Sequence, residues 1–218
     1  MGYAIAIDGP AGAGKSTIAK RIAAQLGYIY VDTGAMYRAM AVFVNDMKVD
    51  PDDEAAVVEL AEKADISIVY ENGSQQVILN GENVTGRLRD ESTGKSASVV
   101  SKYLPVREKL VELQRKLADT SNVVMDGRDI GSAVLPNAQV KVYLTASSDT
   151  RAKRRFDELV AKGENPDYEE IKADIEARDY QDMNREHSPL VQAEDAHLVD
   201  SSDMTIEEVT EAIINLTK

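Results

Sequence analysis

Nine residues near the start of the chain combine glycines, a lysine and two hydroxyl side chains. Residues 9–17 read GPAGAGKST and fit the pattern G-x-x-x-x-G-K-[ST]. Glycines let successive backbone N–H groups turn towards one anion, the lysine can reach the outer phosphates, and the serine hydroxyl can bind Mg²⁺. This stretch, the P-loop, therefore predicts a site for a nucleoside triphosphate such as ATP, formed by Gly9, Pro10, Ala11, Gly12, Ala13, Gly14, Lys15, Ser16 and Thr17.

The residues on either side of the P-loop predict a strand before it and a helix after it. Residues 3–8, YAIAID, form a short apolar run that is typical of a buried strand. Ile18, Ile22 and Leu26 recur every four residues, so residues 15–26 are predicted to be an amphipathic helix that ends at Gly27. This order would place the phosphates at the helix N-terminus, with Lys15 as a catalytic residue and Ser16 as the Mg²⁺ ligand.

Four more apolar runs alternate with helical patterns along the chain. They cover residues 28–31, 122–126, 139–145 and 196–200. The alternation predicts an α/β fold, a doubly wound five-stranded parallel sheet flanked by helices, with ligands at the carboxyl ends of the strands. Four acidic residues fall where these predicted strands end: Asp8, Asp32, Asp126 and Asp200.

The elements between these strands can also be placed from the sequence. Residues 66–84 hold two β-rich runs joined at Asn72-Gly73, which predicts a hairpin in an inserted lobe rather than a strand pair of the parallel sheet. Met36, Met40 and Met47 share one face of a helix predicted over 34–47, and we interpret that face as core. Further helices are predicted over 105–119, 148–162 and 168–185, with a last helix opening at a capping box of Thr205 and Glu208.

The residues after the predicted strand 122–126 bear on where the terminal phosphate goes. Asp126 is followed by Gly127, so the glutamate with which hydrolytic ATPases prepare an attacking water is absent there. Neither KAD tripeptide, at 63–65 or 172–174, is preceded by the Asn or Thr of a guanine-binding element. Water is therefore not the expected acceptor.

Several arginines are spaced to bind a second phosphate. Arg38 follows the second strand and Arg128 the third, and both strand ends are expected beside the P-loop. Arginine can donate two parallel hydrogen bonds to phosphate oxygens. In the helix 168–185 an apolar stripe that starts at Ile171 and Ile175 continues as Arg178, Asp182 and Arg185, so this helix is expected to run from the core into a polar cleft. The alternative for each of these residues is an ordinary surface ion pair.

A further group of arginines lies on the helix 148–162, and KGENPD at 162–167 follows as a break. Arginines on a movable helical hairpin would suit a lid that closes over the triphosphate and excludes water, and a basic surface patch is the alternative. The group consists of Arg151, Arg154 and Arg155.

The overall composition limits the classes of partner. The 218 residues carry a formal net charge of −13, which should repel nucleic acid and anionic membranes. The chain has no cysteine and no apolar stretch of membrane-spanning length. We expect a cytoplasmic protein that binds neither nucleic acid nor membrane.

These motifs together resemble the bacterial cytidylate kinases. The resemblance spans essentially the whole chain, in the P-loop, DTGAMYR (32–38), SASVVSKYLPVRE (96–108), DGRDIG (126–131) and ARDYQDMNREHSPL (177–190), and the segment 66–84 resembles the insert of that family. It implies a monomeric P-loop kinase that transfers the γ-phosphoryl group of ATP to CMP or dCMP, with Mg²⁺. It also implies a core of about 1–33, 120–150 and 171–218, an NMP-binding lobe of about 34–119 and a lid of about 151–170.

The resemblance also implies roles for single residues. The CMP phosphate would be held by Thr33, Arg38, Arg128 and Arg178; the cytosine would be read by Ser98, Arg107 and Asp129; Asp182 and Arg185 would lie near the ribose; Arg151, Arg154 and Arg155 would form the lid cluster. Thr33 stands where some family members have serine, and its hydroxyl preserves the role. Two alternatives stay open: a kinase of another small acceptor such as UMP or AMP, and a regulatory module that binds nucleotide without transferring phosphate.

Overall fold

The fold is mixed α/β, and the computed structural model describes residues 2–71 and 73–218. A 3₁₀ turn lies at Thr85–Arg87 and a π-helical turn at Ile130–Val134. The strands and α-helices of the described residues are, in chain order, β1 (Ala4–Asp8), α1 (Lys15–Leu26), β2 (Ile29–Asp32), α2 (Thr33–Asp46), α3 (Glu54–Lys63), β3 (Ile66–Glu71), β4 (Ser74–Leu79), β5 (Glu82–Asn83), α4 (Glu91–Val100), α5 (Leu104–Thr120), β6 (Val123–Gly127), β7 (Val140–Thr145), α6 (Ser148–Ala161), α7 (Tyr168–Asn184), β8 (His197–Asp200) and α8 (Ile206–Asn215).

Five strands form the predicted parallel sheet, in the order β2-β6-β1-β7-β8. The central strand β1 pairs in parallel with β6 on one side and with β7 on the other. All five residues of β1 are buried, as expected for a strand with neighbours on both edges and helices on both faces. The prediction from the sequence was wrong on one point: β6 lies next to β1, but β2 is one strand further out, so only one of the two arginine-bearing strand ends is adjacent to the P-loop strand.

Two helices from opposite ends of the chain cover one part of this sheet. The apolar side of α1, with Ile18 and Ile22, packs into a core that also contains Val209 and Ile213 of α8. As predicted, α1 is capped by Gly27, whose left-handed backbone lets the N–H of the following Tyr28 donate to the Ala23 carbonyl oxygen at 2.9 Å. The predicted capping box at the start of α8 is present.

The chain divides into two compact units, Met1–Tyr30 with Ser121–Lys218, and Val31–Thr120. In the second unit β3, β4 and β5 form a separate antiparallel sheet. The predicted hairpin is therefore present, with Glu71 opposite Ser74, while Asn72 of the predicted turn lies outside the described residues.

The methionine-bearing helix of this second unit confirms the core interpretation for two of three residues. Met36 and Met40 of α2 are fully buried. Met47 follows the last residue of α2 and is 55% exposed, so its assignment to the core was wrong. The helix ends one residue before Met47, and the side chain no longer continues the buried face.

Among the described residues, no helix is both long enough and apolar enough to cross a bilayer.

Candidate active site

Residues 9–17 form a tight loop and the first turn of α1. Gly9 and Gly14 have φ angles of 149° and 89°, which side chains rarely tolerate. A Cβ on Gly9 would also lie 1.9 Å from the Leu144 carbonyl oxygen, so this position has no room for one. The loop closes around its own lysine: Lys15 is buried, and its Nζ donates to the Pro10 carbonyl oxygen at 2.7 Å.

The serine of the motif contacts the end of β6. Ser16 Oγ donates to Asp126 Oδ2 at 2.9 Å, and the Tyr30 hydroxyl donates to Asp126 Oδ1 at 2.9 Å. A hydroxyl beside a carboxylate is an oxygen donor set that suits Mg²⁺, a hard cation that usually keeps several waters. Asp32, the acidic residue at the end of β2, accepts from the Ala35 N–H as the N-cap of α2.

Positive charge converges on the P-loop lysine. Burial lowers the pKa of Lys15 well below its ordinary value, and the nearby positive charges of Arg128 and Arg178 lower it further. Arg128 Nε donates to Asp182 Oδ2 at 2.7 Å. Burial, the largest single effect, would raise the pKa of Asp182, but the charge and hydrogen bond of Arg128 together with the charges of Arg178 and Arg185 outweigh it, and the pKa is lowered. This end of α7 therefore contributes one cation, Arg178, and the carboxylate of Asp182 that pairs with Arg128.

Asp8 is a residue of this region that the sequence identifies only as the end of a predicted strand. Asp8 is buried at the end of β1, and its two carboxylate oxygens accept from the N–H groups of Ile130 and Gly131, both at 2.7 Å. Burial raises the pKa of Asp8 to about 6 against the opposing effect of these hydrogen bonds. Asp8 fixes the π-helical turn that directly follows Asp129, and π turns are frequent at functional sites.

Asp129 and Arg185 lie together at the start of that turn. Both side chains are buried, and Arg185 Nη2 is 3.6 Å from Asp129 Oδ1. Arg185 Nε also donates to the Ser188 carbonyl oxygen at 2.7 Å. The predicted helix over 168–185 ends one residue early, at Asn184, and Arg185 has extended backbone. Its charge is therefore oriented by the loop that follows α7.

The three arginines of α6 lie in three different environments. Arg151 is buried and donates to the Ala11 carbonyl oxygen of the P-loop at 3.0 Å and to Asp179 of α7 at 2.6 Å. Arg154 Nη2 donates to the Ser201 carbonyl oxygen at 2.7 Å, and Arg155 pairs with Glu158 on the surface. The structure thus joins Arg151 to the P-loop but does not bring the three guanidinium groups together.

The remaining predicted residues belong to the unit Val31–Thr120. Thr33 is buried at the start of α2, and Arg38 Nη1 lies 3.1 Å from where a Cβ of Gly34 would be. Arg107 of α5 is buried, donates to the Ser101 carbonyl oxygen at 3.1 Å and lies 5.5 Å from the ring centre of Tyr37. Ser98 is half-buried on α4.

Comparison with known proteins identifies the family. The family model described as "Cytidylate kinase" matches residues 5–218. The chain belongs to the cytidylate kinase family. It is 51% identical to the cytidylate kinase of Caldicellulosiruptor bescii over 97% of this chain and 94% of that one, and 50% identical to that of Enterococcus faecalis over 98% and 95%. The cytidylate kinase of Lactobacillus gasseri is 50% identical over 96% of this chain and 91% of its own length.

A solved structure resembles this chain at the level of the fold. An uncharacterized protein from Eubacterium ventriosum superposes with a TM-score of 0.53 at 13% identity, over 98% of this chain and 96% of that one. The family model and the relatives at 50–51% identity confirm the family resemblance seen in the P-loop and the segments at 32–38, 96–108, 126–131 and 177–190, and the predicted α/β class is confirmed as well. Membership of the cytidylate kinase family makes the chain a phosphotransferase of the nucleoside monophosphate kinase type.

Proposed function

We propose that this chain transfers the γ-phosphoryl group of ATP to CMP or dCMP, giving CDP or dCDP and ADP. The observation that carries the proposal is the buried lysine of the P-loop, Lys15, with Arg128 and Arg178 close enough to lower its pKa against the opposing effect of Asp126 and Asp8, in a chain of net charge −13. Cations are brought together at a cost in repulsion, which bound polyanions would offset. Two phosphate groups in one site supply that negative charge.

The transfer needs positioning more than acid–base chemistry. An oxygen of the CMP phosphate bonds to the γ-phosphorus as the bond to the β-phosphate oxygen breaks, and ADP leaves. The attacking oxygen is already anionic, so no strong general base is required. Gly127 after Asp126 is consistent with a phosphate acceptor, since no glutamate stands there to activate water. The chain's task is to hold the two reacting groups in line and to offset their negative charge.

The P-loop is proposed to bind the triphosphate of ATP. Its backbone N–H groups would surround the phosphates. Lys15 Nζ would donate to a phosphate oxygen instead of to the Pro10 carbonyl oxygen. Ser16 would hold Mg²⁺, with Asp126 accepting from the waters of the ion. When bound, Mg²⁺ neutralises charge on the β- and γ-phosphates.

The acceptor is proposed to be held by the residues that the family resemblance identifies. Thr33, Arg38, Arg128 and Arg178 would bind the CMP phosphate, and Asp182 and Arg185 the ribose. Ser98, Arg107 and Asp129 would contact the base. On this proposal the unit Val31–Thr120 corresponds to the NMP-binding lobe, and about 151–170 to a lid in which Arg151, already in contact with the P-loop, stabilises the transferring group more directly than Arg154 or Arg155. The protein is proposed to act as a monomer.

A panel of nucleoside monophosphates with Mg-ATP, read by ADP release, tests the proposal. CMP and dCMP are expected to be good acceptors, and UMP and AMP poor ones. Comparable use of UMP or AMP would replace the cytidine assignment by a broader nucleotide kinase. Binding of ATP without any diphosphate product would indicate a regulatory module instead.

The same assay on Asp129→Asn tests the base contact. A carboxylate can accept from the amino group of cytosine but opposes O4 of uracil, whereas an amide can also donate. The variant is expected to narrow the ratio of kcat/KM for CMP over UMP, which should be about 10³ in the wild type because buried mismatches leave polar groups unpaired. Asp157→Asn on the surface of α6 is the control. An unchanged ratio in Asp129→Asn would remove Asp129 from base recognition.

A further inference from the structure

A glutamine of the inserted antiparallel sheet holds the backbone of the residue that begins the proposed acceptor-phosphate segment. The Asp32 N–H donates to Gln75 Oε1 at 2.9 Å, and Gln75 Nε2 donates to the Asp32 carbonyl oxygen at 3.3 Å. One side-chain amide therefore satisfies both backbone polar groups of Asp32, as a neighbouring strand would. Asp32 is the last residue of β2, an edge strand of the parallel sheet, where such groups would otherwise lack a strand partner.

The position of Gln75 on its strand supports a specific contact. Side chains alternate between the two faces of a strand, so Gln75 shares a face of β4 with Val77 and Leu79, and both of these are buried. Gln76 lies on the other face, and its Oε1 accepts from Asn83 Nδ2 at 3.2 Å within the same sheet. Gln75 thus extends the buried face of β4 to the backbone of Asp32.

The backbone of Asp32 in turn sets the start of α2. The Asp32 carboxylate caps this helix by accepting from the Ala35 N–H at 3.0 Å. A Cβ on Gly34 would lie 3.1 Å from Arg38 Nη1 and 3.2 Å from Asp32 Oδ1, so both side chains lie over the same glycine. A shift of Asp32 would therefore change the space available to the Arg38 guanidinium. Thr33, which follows Asp32 directly, would move with it.

We propose that Gln75 is a positioning residue of the acceptor-phosphate site: its amide fixes the backbone of Asp32 and thereby the placement of Thr33 and Arg38. The inference rests on the proposed role of those two residues in binding the CMP phosphate. It gives the inserted antiparallel sheet a definite part in acceptor binding through one side chain that itself touches no substrate.

The experiment compares Gln75→Met with Gln76→Met. Methionine keeps the length and approximate volume of glutamine but neither donates nor accepts as an amide does, and the control makes the same change on the opposite face of the same strand. Gln75→Met is expected to raise the KM for CMP about tenfold, because two hydrogen bonds that hold the segment are lost, while the KM for ATP changes less than about twofold. Gln76→Met should leave both KM values near those of the wild type.

A second readout follows the contact itself. Hydrogen exchange of the Asp32 amide, measured by NMR without ligands, should be slow in the wild type and in Gln76→Met, and at least about tenfold faster in Gln75→Met. Thermal unfolding of all three proteins separates this local effect from general instability. If Gln75→Met does not fold, Gln75→Glu takes its place; a carboxylate oxygen would then face the Asp32 carbonyl, and the KM for CMP should also rise.

Three results would overturn the inference. One is an unchanged KM for CMP in the Gln75 variant. Another is an equal rise of the KM for CMP and for ATP together with a lower melting temperature, which would indicate a merely structural residue. The third is unchanged exchange of the Asp32 amide in Gln75→Met. Failure of the wild type to phosphorylate CMP would instead refute the proposed function, and that result is known before any variant is compared.

Discussion

Lys15 is held in a state that favours an incoming anion. Its amine is buried, its pKa is lowered by that burial and by the charge of Arg128, and its hydrogen bond goes to the neutral Pro10 carbonyl. A phosphate oxygen in place of that carbonyl oxygen would supply a negative charge, and this charge would stabilise the protonated form of the buried amine. The sequence pattern predicted which lysine this would be, because the motif and its flanking strand and helix are local.

Lys15→Ala should abolish most of the activity without unfolding the protein. The kcat for CMP is expected to fall by at least about 10³-fold, since a charged donor to the transferring group is lost. The melting temperature should not fall, because the substitution removes a buried charge. Lys116→Ala, an exposed lysine on α5 that pairs with Glu112, is the control for the assay and for unfolding. Near-normal turnover of Lys15→Ala would contradict the assignment of the P-loop as the active site.

Asp8 makes the stability of the protein depend on pH in a defined direction. Its pKa is raised from 3.8 to about 6, so the folded state binds this proton more tightly than the unfolded chain does. The contribution of Asp8 to stability is therefore most favourable below pH 4 and is lost as the pH rises from about 4 to about 6. The loss amounts to about 3 kcal/mol, because a tenfold difference in proton affinity between the folded and unfolded chain corresponds to about 1.4 kcal/mol.

Asp8→Asn tests this direction because an amide does not ionise. The free energy of unfolding in urea would be measured for both proteins at pH 4, 5, 6 and 7. The wild-type value minus the variant value is expected to fall with rising pH by about 2–3 kcal/mol over this range. The variant can differ in absolute stability, because its amide nitrogen faces a backbone N–H. That difference in unfolding free energy does not change with pH. A difference that stays flat, or that grows with pH, would show that Asp8 does not titrate as inferred.

At the scale of the elements, α7 shows what periodicity can predict. The stripe Ile171, Ile175, Arg178 and Asp182 is half-buried or buried as expected, and its polar end contributes Asp182 to Arg128. Arg185 fits the same spacing but follows the helix, since the sequence holds no strong signal for the last residue of α7. The π-helical turn after Asp129 was not predicted either, because it depends on Asp8, more than a hundred residues away.

The helix α5 shows the limit of selecting core residues by type alone. In its sequence Val106, Leu110, Leu113 and Leu117 recur at the spacing of one helical face, which is typical of core residues. The structure buries Val106 and Leu110 but places Gln114 and Ala118 in the core, with the two later leucines only half-buried. The buried face is fixed by the angle at which α5 packs, and the sequence does not state that angle.

Gln114 should therefore be replaceable with a gain in stability. Its side chain is 1% exposed, and Nε2 has no hydrogen-bond partner among the described residues. Gln114→Met keeps the shape and removes the unsatisfied donor, so the free energy of unfolding in urea is expected to rise by about 1 kcal/mol. Lys116→Met, on the exposed side of the same helix, should change it by less than about 0.5 kcal/mol. A loss of stability in Gln114→Met would mean that the amide makes a needed contact.

For the whole molecule, local patterns predicted the elements and long-range packing determined their order. All five parallel strands lie where short apolar runs predicted them, and the hairpin strands flank Asn72-Gly73 as expected. The position of β6 between β1 and β2 could not be predicted in this way, because it depends on pairing between segments about a hundred residues apart. Contacts such as Asp8 with the π-helical turn and Gln75 with Asp32 belong to the same class.

The net charge of −13 leads to a prediction about the molecule as a whole. With 38 acidic and 25 basic residues, the folded chain concentrates negative charge that repels itself. Raising KCl from 10 to 100 mM shortens the screening length from about 30 to about 10 Å. At pH 7.5 this should raise the melting temperature by about 2–4 °C, which for a chain of this size corresponds to about 1 kcal/mol. Chloride is used because phosphate could bind the P-loop and stabilise the fold by mass action.

The same titration at pH 5 separates repulsion from other effects of salt. The sequence pI is about 4.6, so at pH 5 the net charge is small and there is little repulsion for KCl to screen. The gain in melting temperature should therefore shrink or change sign, since screening then mainly weakens surface ion pairs such as Lys63–Glu59. The buried pair of Arg128 and Asp182 lies in a less polar surrounding and should be screened much less at either pH. An equal or larger gain at pH 5 would show that the stabilisation comes from ion binding or from exclusion of salt at the surface, and that the surplus of acidic residues does not limit the stability of the fold.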